Sequence, residues 1–201
     1  MQLTRRAILA TATATLILPR LARAQDNQLT PEAVYFDPDA PVLGNPDGDV
    51  TIAEFFDYQC PYCKAGHPDL MSVVAEDGNV RLVLKDWPIL SAASIYAAQL
   101  GLGSVDMGHY PEVNHALMQT TGRLDEDIVD AAVATVVDPK EAMVSFKQSR
   151  AKWDGLLQRN QQQAAAFGFG GTPAFVIGTK FYGGVMDQTA LKDAISTARQ
   201  G

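Results

Sequence analysis

Apolar residues gather along this chain in two kinds of pattern. Val50 to Tyr58 (VTIAEFFDY) is β-branched, aromatic and almost continuously apolar. That predicts a strand inside a sheet covered on both faces. Val80 to Lys85 (VRLVLK) is a second such run. The stretch between them has Pro61 near its start and Gly78-Asn79 at its end. Proline suits the first position of a helix and glycine its stop, so a helix is predicted from Pro61 to about Asp77. Strand, helix and strand at this spacing form a βαβ unit whose strands run parallel.

The pattern then changes. Ser91 to Gln163 holds no convincing strand; Ser91–Leu102, Pro111–Thr120, Asp125–Val137 and Pro139–Phe167 read as helices. Gly101, Gly103, Gly108, Gly122 and the Asp138-Pro139 step punctuate them. Strand signals return at Thr172–Ile177 (TPAFVI) and Phe181-Tyr182, and Gly183-Gly184 ends that run. Asp187 to Arg199 is amphipathic, with Asp187 placed to cap it. Gln25 to Asn45 is polar and proline-bearing and reads as an extended lead-in, with a turn at Gly44–Gly48. The layout is βαβ, a helical block at about 91–167, then ββα. This predicts an α/β fold with an inserted all-helical subdomain, because the block separates two halves of one sheet.

The first residues follow another logic. Arg5 and Arg6 precede an uncharged, mostly apolar run, Ala7–Leu18, and Ala22-Arg23-Ala24 places small residues where a signal peptidase cuts. That order predicts a secretory leader over residues 1–24 and a periplasmic mature protein. The apolar run is short of the roughly 20 residues that a bilayer crossing needs. Thr4-Arg5-Arg6-Ala7-Ile8-Leu9 also resembles the twin-arginine export signal, so either export route fits. Cleavage after Ala24 leaves 177 residues, enough for one domain with a real core. With the four leader arginines gone, 12 basic residues face 23 acidic ones, a net of −11. Such a chain gains nothing from a phosphate backbone, which argues against nucleic acid as a partner.

Two cysteines, Cys60 and Cys63, are the whole complement. A bridge across two intervening residues closes a tiny loop and restrains the unfolded chain little. Their position therefore favours chemistry over structure. In Cys60-Pro61-Tyr62-Cys63 the first sulfur sits where strand gives way to helix, facing unpaired N–H groups and the positive end of the helix dipole. That setting stabilises a thiolate. Cys63 lies one turn on, able to reach Cys60. A substrate thiolate would attack Cys60 of the bridge, and a second would resolve the mixed disulfide. Half of a zinc site is the competing reading, but no second cysteine pair exists and His67, His109 and His115 are scattered. An inert structural bridge is another. His67 reads as a helix-surface residue.

Three ordered segments carry a resemblance. Phe55–Cys63 (FFDYQCPYC), Lys85–Leu90 (KDWPIL) and Gly171–Phe175 (GTPAF) resemble the active-site strand, the segment after the second strand and the cis-proline loop of DsbA-like periplasmic disulfide oxidoreductases, in the thioredoxin superfamily. The resemblance spans roughly 41–200 and implies a thioredoxin-like domain. It implies that Pro173 is cis and presents the Thr172 backbone to a substrate chain, where the residues alone leave an ordinary trans proline open. It implies that Glu54 is a buried acid moving protons to or from Cys63, where the residues alone also allow a solvated, edge-facing glutamate.

The resemblance also frames direction and partners. It implies an oxidase that passes the Cys60–Cys63 disulfide to exported proteins with free thiols, with that disulfide as the only redox group and no bound cofactor. A DsbB-like membrane reoxidant, or a membrane reductant, would reset it. Thr172 departs from the valine common in DsbA proteins and resembles isomerases and the ScsC-type copper-tolerance branch, which keeps isomerase, reductase and copper-binding readings open. Gln25–Asp39 shows no heptad pattern, which predicts a monomer.

Overall fold

Both apolar runs become strands of one five-stranded sheet. The computed structural model describes residues 29–201, so the leader predicted over residues 1–24 lies outside the described residues. Strand β1 is Val42–Gly44, β2 Val50–Phe56, β3 Val80–Asp86, β4 Ala174–Ile177 and β5 Lys180–Gly183, in the spatial order β1-β3-β2-β4-β5. β2 and β3 pair in parallel, as the βαβ reading requires, and every other pairing is antiparallel. Helix α1 is Pro31–Tyr35 and α2 Pro61–Asp77; the insertion holds α3 Ala92–Gly103, α4 Tyr110–Met118, α5 Glu126–Val133, α6 Pro139–Gln148 and α7 Arg150–Ala166; α8 is Gln188–Gln200. This is a mixed α/β, thioredoxin-like fold with a helical insertion.

The register decides which side chains meet. Glu54 pairs with Leu84 and Phe56 with Asp86. Side chains alternate between faces of a sheet, so Ile52, Glu54, Phe56, Leu82, Leu84 and Asp86 share one face. Phe55, Val83 and Lys85 share the other. Phe55 there meets the rings of Trp87, Phe167 and Phe169 edge-on. β2 and β3 are buried along almost their whole length, consistent with cover on both faces.

Two expectations need correction. The segment before the domain is not extended throughout its described part. Thr30 caps α1 through its hydroxyl, which accepts from the Ala33 amide at 3.2 Å. Tertiary contacts then hold the segment on the sheet: the Tyr35 hydroxyl donates to the Gly178 carbonyl at 2.6 Å, Arg81 donates to the Tyr35 carbonyl, and Arg159 grips Asp37 with two hydrogen bonds of 2.7 and 2.9 Å. Composition alone does not carry such long-range ties. The helix predicted over 139–167 is two helices, broken at Ser149, whose backbone leaves the helical region at φ −106°, ψ 24°. Its hydroxyl donates to Asp106 at 3.0 Å. Asp106 lies 43 positions earlier, so no local pattern marks the break.

The caps predicted from sequence form. Gly78 ends α2 in the left-handed region at φ 69°, where glycine carries no Cβ penalty, and Asp187 accepts from the Ala190 amide at 2.8 Å. Among the described residues no helix is long and apolar enough to cross a membrane.

Candidate active site

The chain turns sharply after β2. Asp57 accepts the Cys60 amide on its carbonyl at 2.9 Å and the Gln59 amide on its carboxylate at 2.7 Å. This turn delivers Cys60 to the N-cap of α2 in extended conformation, with Pro61 as the first helical residue and no side chain capping the free amides. Both cysteines are thiols in this structure and both are buried, whereas Tyr62 between them stands 65% exposed. The Cys60 thiol is brought down to about 5. The Cys63 thiol, donating to it, is the largest cause. Burial opposes the shift, and the Thr172 side chain and the Cys63 and Tyr62 amides assist it. Cys63 moves the other way, pushed up by its bond to Cys60, by burial and by the negative charge of Glu54. One sulfur is thus prepared as a thiolate and the other as a thiol.

The loop before β4 closes the site. The Thr172–Pro173 peptide bond is cis. It brings the Thr172 carbonyl to 3.2 Å from the Cys60 sulfur, across 112 positions of sequence. The Thr172 hydroxyl is buried and has no hydrogen-bond partner apart from the Cys60 sulfur. On the other flank, the second carboxylate oxygen of Asp57 accepts the Ile89 and Leu90 amides at 2.8 and 2.9 Å. Both of those apolar side chains are exposed. Asp57 therefore ties an apolar loop to the turn that places Cys60, a function invisible in the sequence.

Glu54 lies on the buried face of β2, 2% exposed, and its Oε2 has no partner. This excludes the solvated-edge alternative. Burial, then the charges of Asp86 and Cys60, push it up to about 8. Asp86 is a site residue that sequence reasoning passed over. It is buried on the same face, where burial pushes its carboxyl up and the hydrogen bond that Tyr110 donates at 3.2 Å pulls it back toward the anion. The predicted second strand stops at Lys85, one residue short of it, and only the observed register sets Glu54 and Asp86 in phase.

His67 is not on the surface. It is 4% exposed, with Nε2 3.4 Å from Nδ1 of His115 in α4, and burial, then the charge of His115, lowers it to about 4. Its place four residues after Cys63 on one helix face was the missed cue. His109 is the residue before α4 and takes no part. Among the described residues no three His, Cys, Asp or Glu side chains stand close enough to hold a metal ion.

The family model described as thioredoxin matches residues 37–197. The fold also superposes on solved structures. A thioredoxin-like oxidoreductase from Silicibacter pomeroyi is 36% identical, with a TM-score of 0.82 over 86% of this chain and 99% of that one. The thiol-disulfide exchange protein alpha-DsbA2 of Wolbachia pipientis is 26% identical, with a TM-score of 0.77 over 87% and 94%. The catalytic domain of Proteus mirabilis ScsC, 24% identical with a TM-score of 0.77 over 89% and 98%, shares the fold. Among curated proteins, a Na(+)/H(+) antiporter NhaA of Salinispora arenicola is 25% identical over 174 residues. The chain spans about a quarter of the length of such curated relatives: 84% of this chain aligns with 26% of that antiporter. The sequence match and a cysteine pair set at a strand-to-helix junction beside a cis proline agree: the chain belongs to the thioredoxin family.

Proposed function

We propose that this chain is a periplasmic thiol–disulfide oxidoreductase that oxidises exported proteins through Cys60. The observation that carries the reading is the asymmetry of the pair: Cys60 at the free amides of α2, 3.2 Å from the Thr172 carbonyl, and Cys63 beneath it toward Glu54. In the oxidised protein a substrate thiolate attacks the Cys60 sulfur. The Cys60–Cys63 bond breaks and its electron pair leaves on Cys63, which takes a proton from Glu54. A second substrate thiolate then attacks the substrate sulfur of the mixed disulfide and expels Cys60 as a thiolate. The substrate has lost two electrons and the pair has gained them. Stabilising the Cys60 thiolate favours the reduced pair and so makes the disulfide oxidising.

The disulfide is the redox group, and no bound cofactor enters the cycle. The leader pattern of residues 1–24 supports export, and a membrane protein of the DsbB kind is the expected reoxidant. The chain acts as a monomer. Thr172 supports a second reading, isomerase or reductase, because it stands where oxidases of this kind carry valine. Equilibrating the pair with glutathione separates these readings. An oxidase holds its disulfide only in strongly oxidising mixtures and transfers it to a reduced dithiol peptide, and Cys60→Ser abolishes the transfer. A pair that stays oxidised in reducing mixtures, or that refolds scrambled substrates instead, overturns the oxidase. One equivalent of copper retained through purification supports the thiol-protein reading.

A further inference from the structure

The face of the sheet beneath Cys63 carries two acids. Glu54 and Asp86 project from one face of adjacent parallel strands, Asp86 two residues beyond Leu84, the register partner of Glu54, and both are buried. Glu54 Oε2 and Asp86 Oδ1 both lack a hydrogen-bond partner. No cation acts on either acid; Lys64 of α2, the nearest candidate on this side, acts on Asp57 and Cys60 instead. Lys85, next to Asp86, points to the opposite face, where Asp37, Arg81 and Arg159 surround it. The groups facing the two acids are Cys60 and Cys63 from α2, Asp57 and Tyr58 from the turn after β2, and Tyr110 from α4. All of these are neutral or negative. Two ionised carboxylates in this setting would be two uncompensated buried charges, which proteins avoid by holding a proton.

Resting on the reading of Glu54 as the proton donor to Cys63, we propose that Glu54 and Asp86 share a single proton, and that Asp86 is the positioning residue that keeps it on Glu54. The hydrogen bonds assign the microstate. Asp86 Oδ2 accepts from the Tyr110 hydroxyl, which favours its anion. Tyr110 in turn belongs to a buried chain with Tyr58, whose hydroxyl accepts from the Asn114 amide at 3.0 Å. Glu54 has no such donor and keeps the proton. When the Cys60–Cys63 bond breaks, the electron pair leaves on the Cys63 sulfur and the Glu54 proton moves to it. Glu54 is then ionised beside anionic Asp86, and solvent returns one proton to the pair. The repulsion between the two carboxylates drives that return and resets the donor. As a coupled pair they titrate together.

The test is the pH profile of single-turnover oxidation of a dithiol peptide by the oxidised full chain. Wild type loses rate on the alkaline side as the shared proton is lost. Asp86→Asn keeps size and the contact to Tyr110 but removes the charge, so Glu54 ionises earlier. The alkaline limb shifts at least one pH unit downward, a rate loss of about tenfold at pH 8 with little change at pH 6. Asp86→Glu restores the limb. Glu54→Gln removes the limb. A limb that is lost in Glu54→Gln but stays in place in Asp86→Asn overturns this inference and leaves the donor reading standing. A limb untouched by Glu54→Gln overturns both. Carbon-13 carboxyl shifts of the wild-type oxidised protein give a check that needs no variant: the inference requires Asp86 ionised and Glu54 protonated at neutral pH, and independent titration of the two sinks it.

Discussion

The Cys60 sulfur and the Thr172 carbonyl oxygen stand 3.2 Å apart. The thiol donates to that carbonyl, but a thiolate cannot. When Cys60 ionises, the Thr172 hydroxyl, which is buried, otherwise unpartnered and free to rotate, can donate to it alongside the Cys63 thiol. Threonine at this position thus supports the anion that the α2 amides already favour. Thr172→Val removes that donor without changing volume much. A hydrogen bond to a charged group contributes roughly 1.5–3 kcal/mol. Thr172→Val therefore raises the Cys60 pKa by about one unit or more from its wild-type value near 5. Thiolate absorbance at 240 nm followed against pH reads this directly. An unmoved midpoint refutes the role of the hydroxyl.

The same thiolate makes stability depend on redox state. Cys60 is depressed from 9.0 to about 5 in the folded protein. A depressed pKa contributes stability that is present above the unfolded value and lost as pH falls through the folded one. The reduced protein therefore gains over the oxidised protein between pH 5 and 9, and that advantage disappears at pH 5. Thermal melts of both forms across this range check it; an oxidised form that is the more stable at pH 8 contradicts it.

Glu54 carries the opposite sign. Its folded pKa is raised from 4.5 to about 8, so the unfolded chain releases its proton first and stability falls as pH rises through that window. Glu54→Gln removes the penalty. It stabilises the protein by about 3 kcal/mol at pH 7 and by well under about 1 kcal/mol at pH 4.5, while slowing disulfide transfer. Denaturant midpoints at the two pH values decide the matter. Equal gains at both would show a packing effect.

What the sequence revealed follows from the range of the forces involved. β2, α2, β3 and α8 were legible because apolar period, Pro61, Gly78 and Asp187 act over a few residues. Cys60 and Cys63 were legible because chemistry confines such pairs to a strand-to-helix junction. Strand β1 has three residues, too few to show a period, and α1 depends on Arg81 and Gly178 far along the chain. The break at Ser149 depends on Asp106. In sequence His67 reads as a surface residue, and only the packing of α4 sets His115 against it; Asp86 lies within KDWPIL with no role until register places it opposite Phe56.

Asp57 gives the clearest of these long-range ties to test. Its Oδ2 holds the Ile89 and Leu90 amides and its Oδ1 the Gln59 amide. Asp57→Ala leaves three amides without their acceptor, at a cost of about 1–3 kcal/mol for each that stays buried. The apolar loop then moves independently of the active-site turn. Hydrogen exchange at Ile89 and Leu90 accelerates more than at β3, and transfer to protein substrates falls more than transfer to a small dithiol. Uniform exchange across the chain would instead mean global loosening.

Gly103 tests whether the insertion's folding can be separated from the chemistry. It sits at the end of α3 with a normal helical backbone, so conformational freedom is not its reason. A Cβ there would run into the Ala142 carbonyl and lie 3.2 Å from the Phe146 Cβ, both on α6. Only a residue without a side chain lets the two helices approach this closely, and backbone cannot step aside as a flexible side chain would. Gly103→Ala forces α3 and α6 apart and costs about 1–3 kcal/mol, or more where the helices cannot shift. The overlap lies within the insertion, whereas the amides that stabilise the Cys60 thiolate belong to α2. The variant therefore melts earlier yet keeps the wild-type Cys60 midpoint at 240 nm in its folded state. A midpoint raised toward 9 in the folded variant would mean that the insertion sets the thiolate after all.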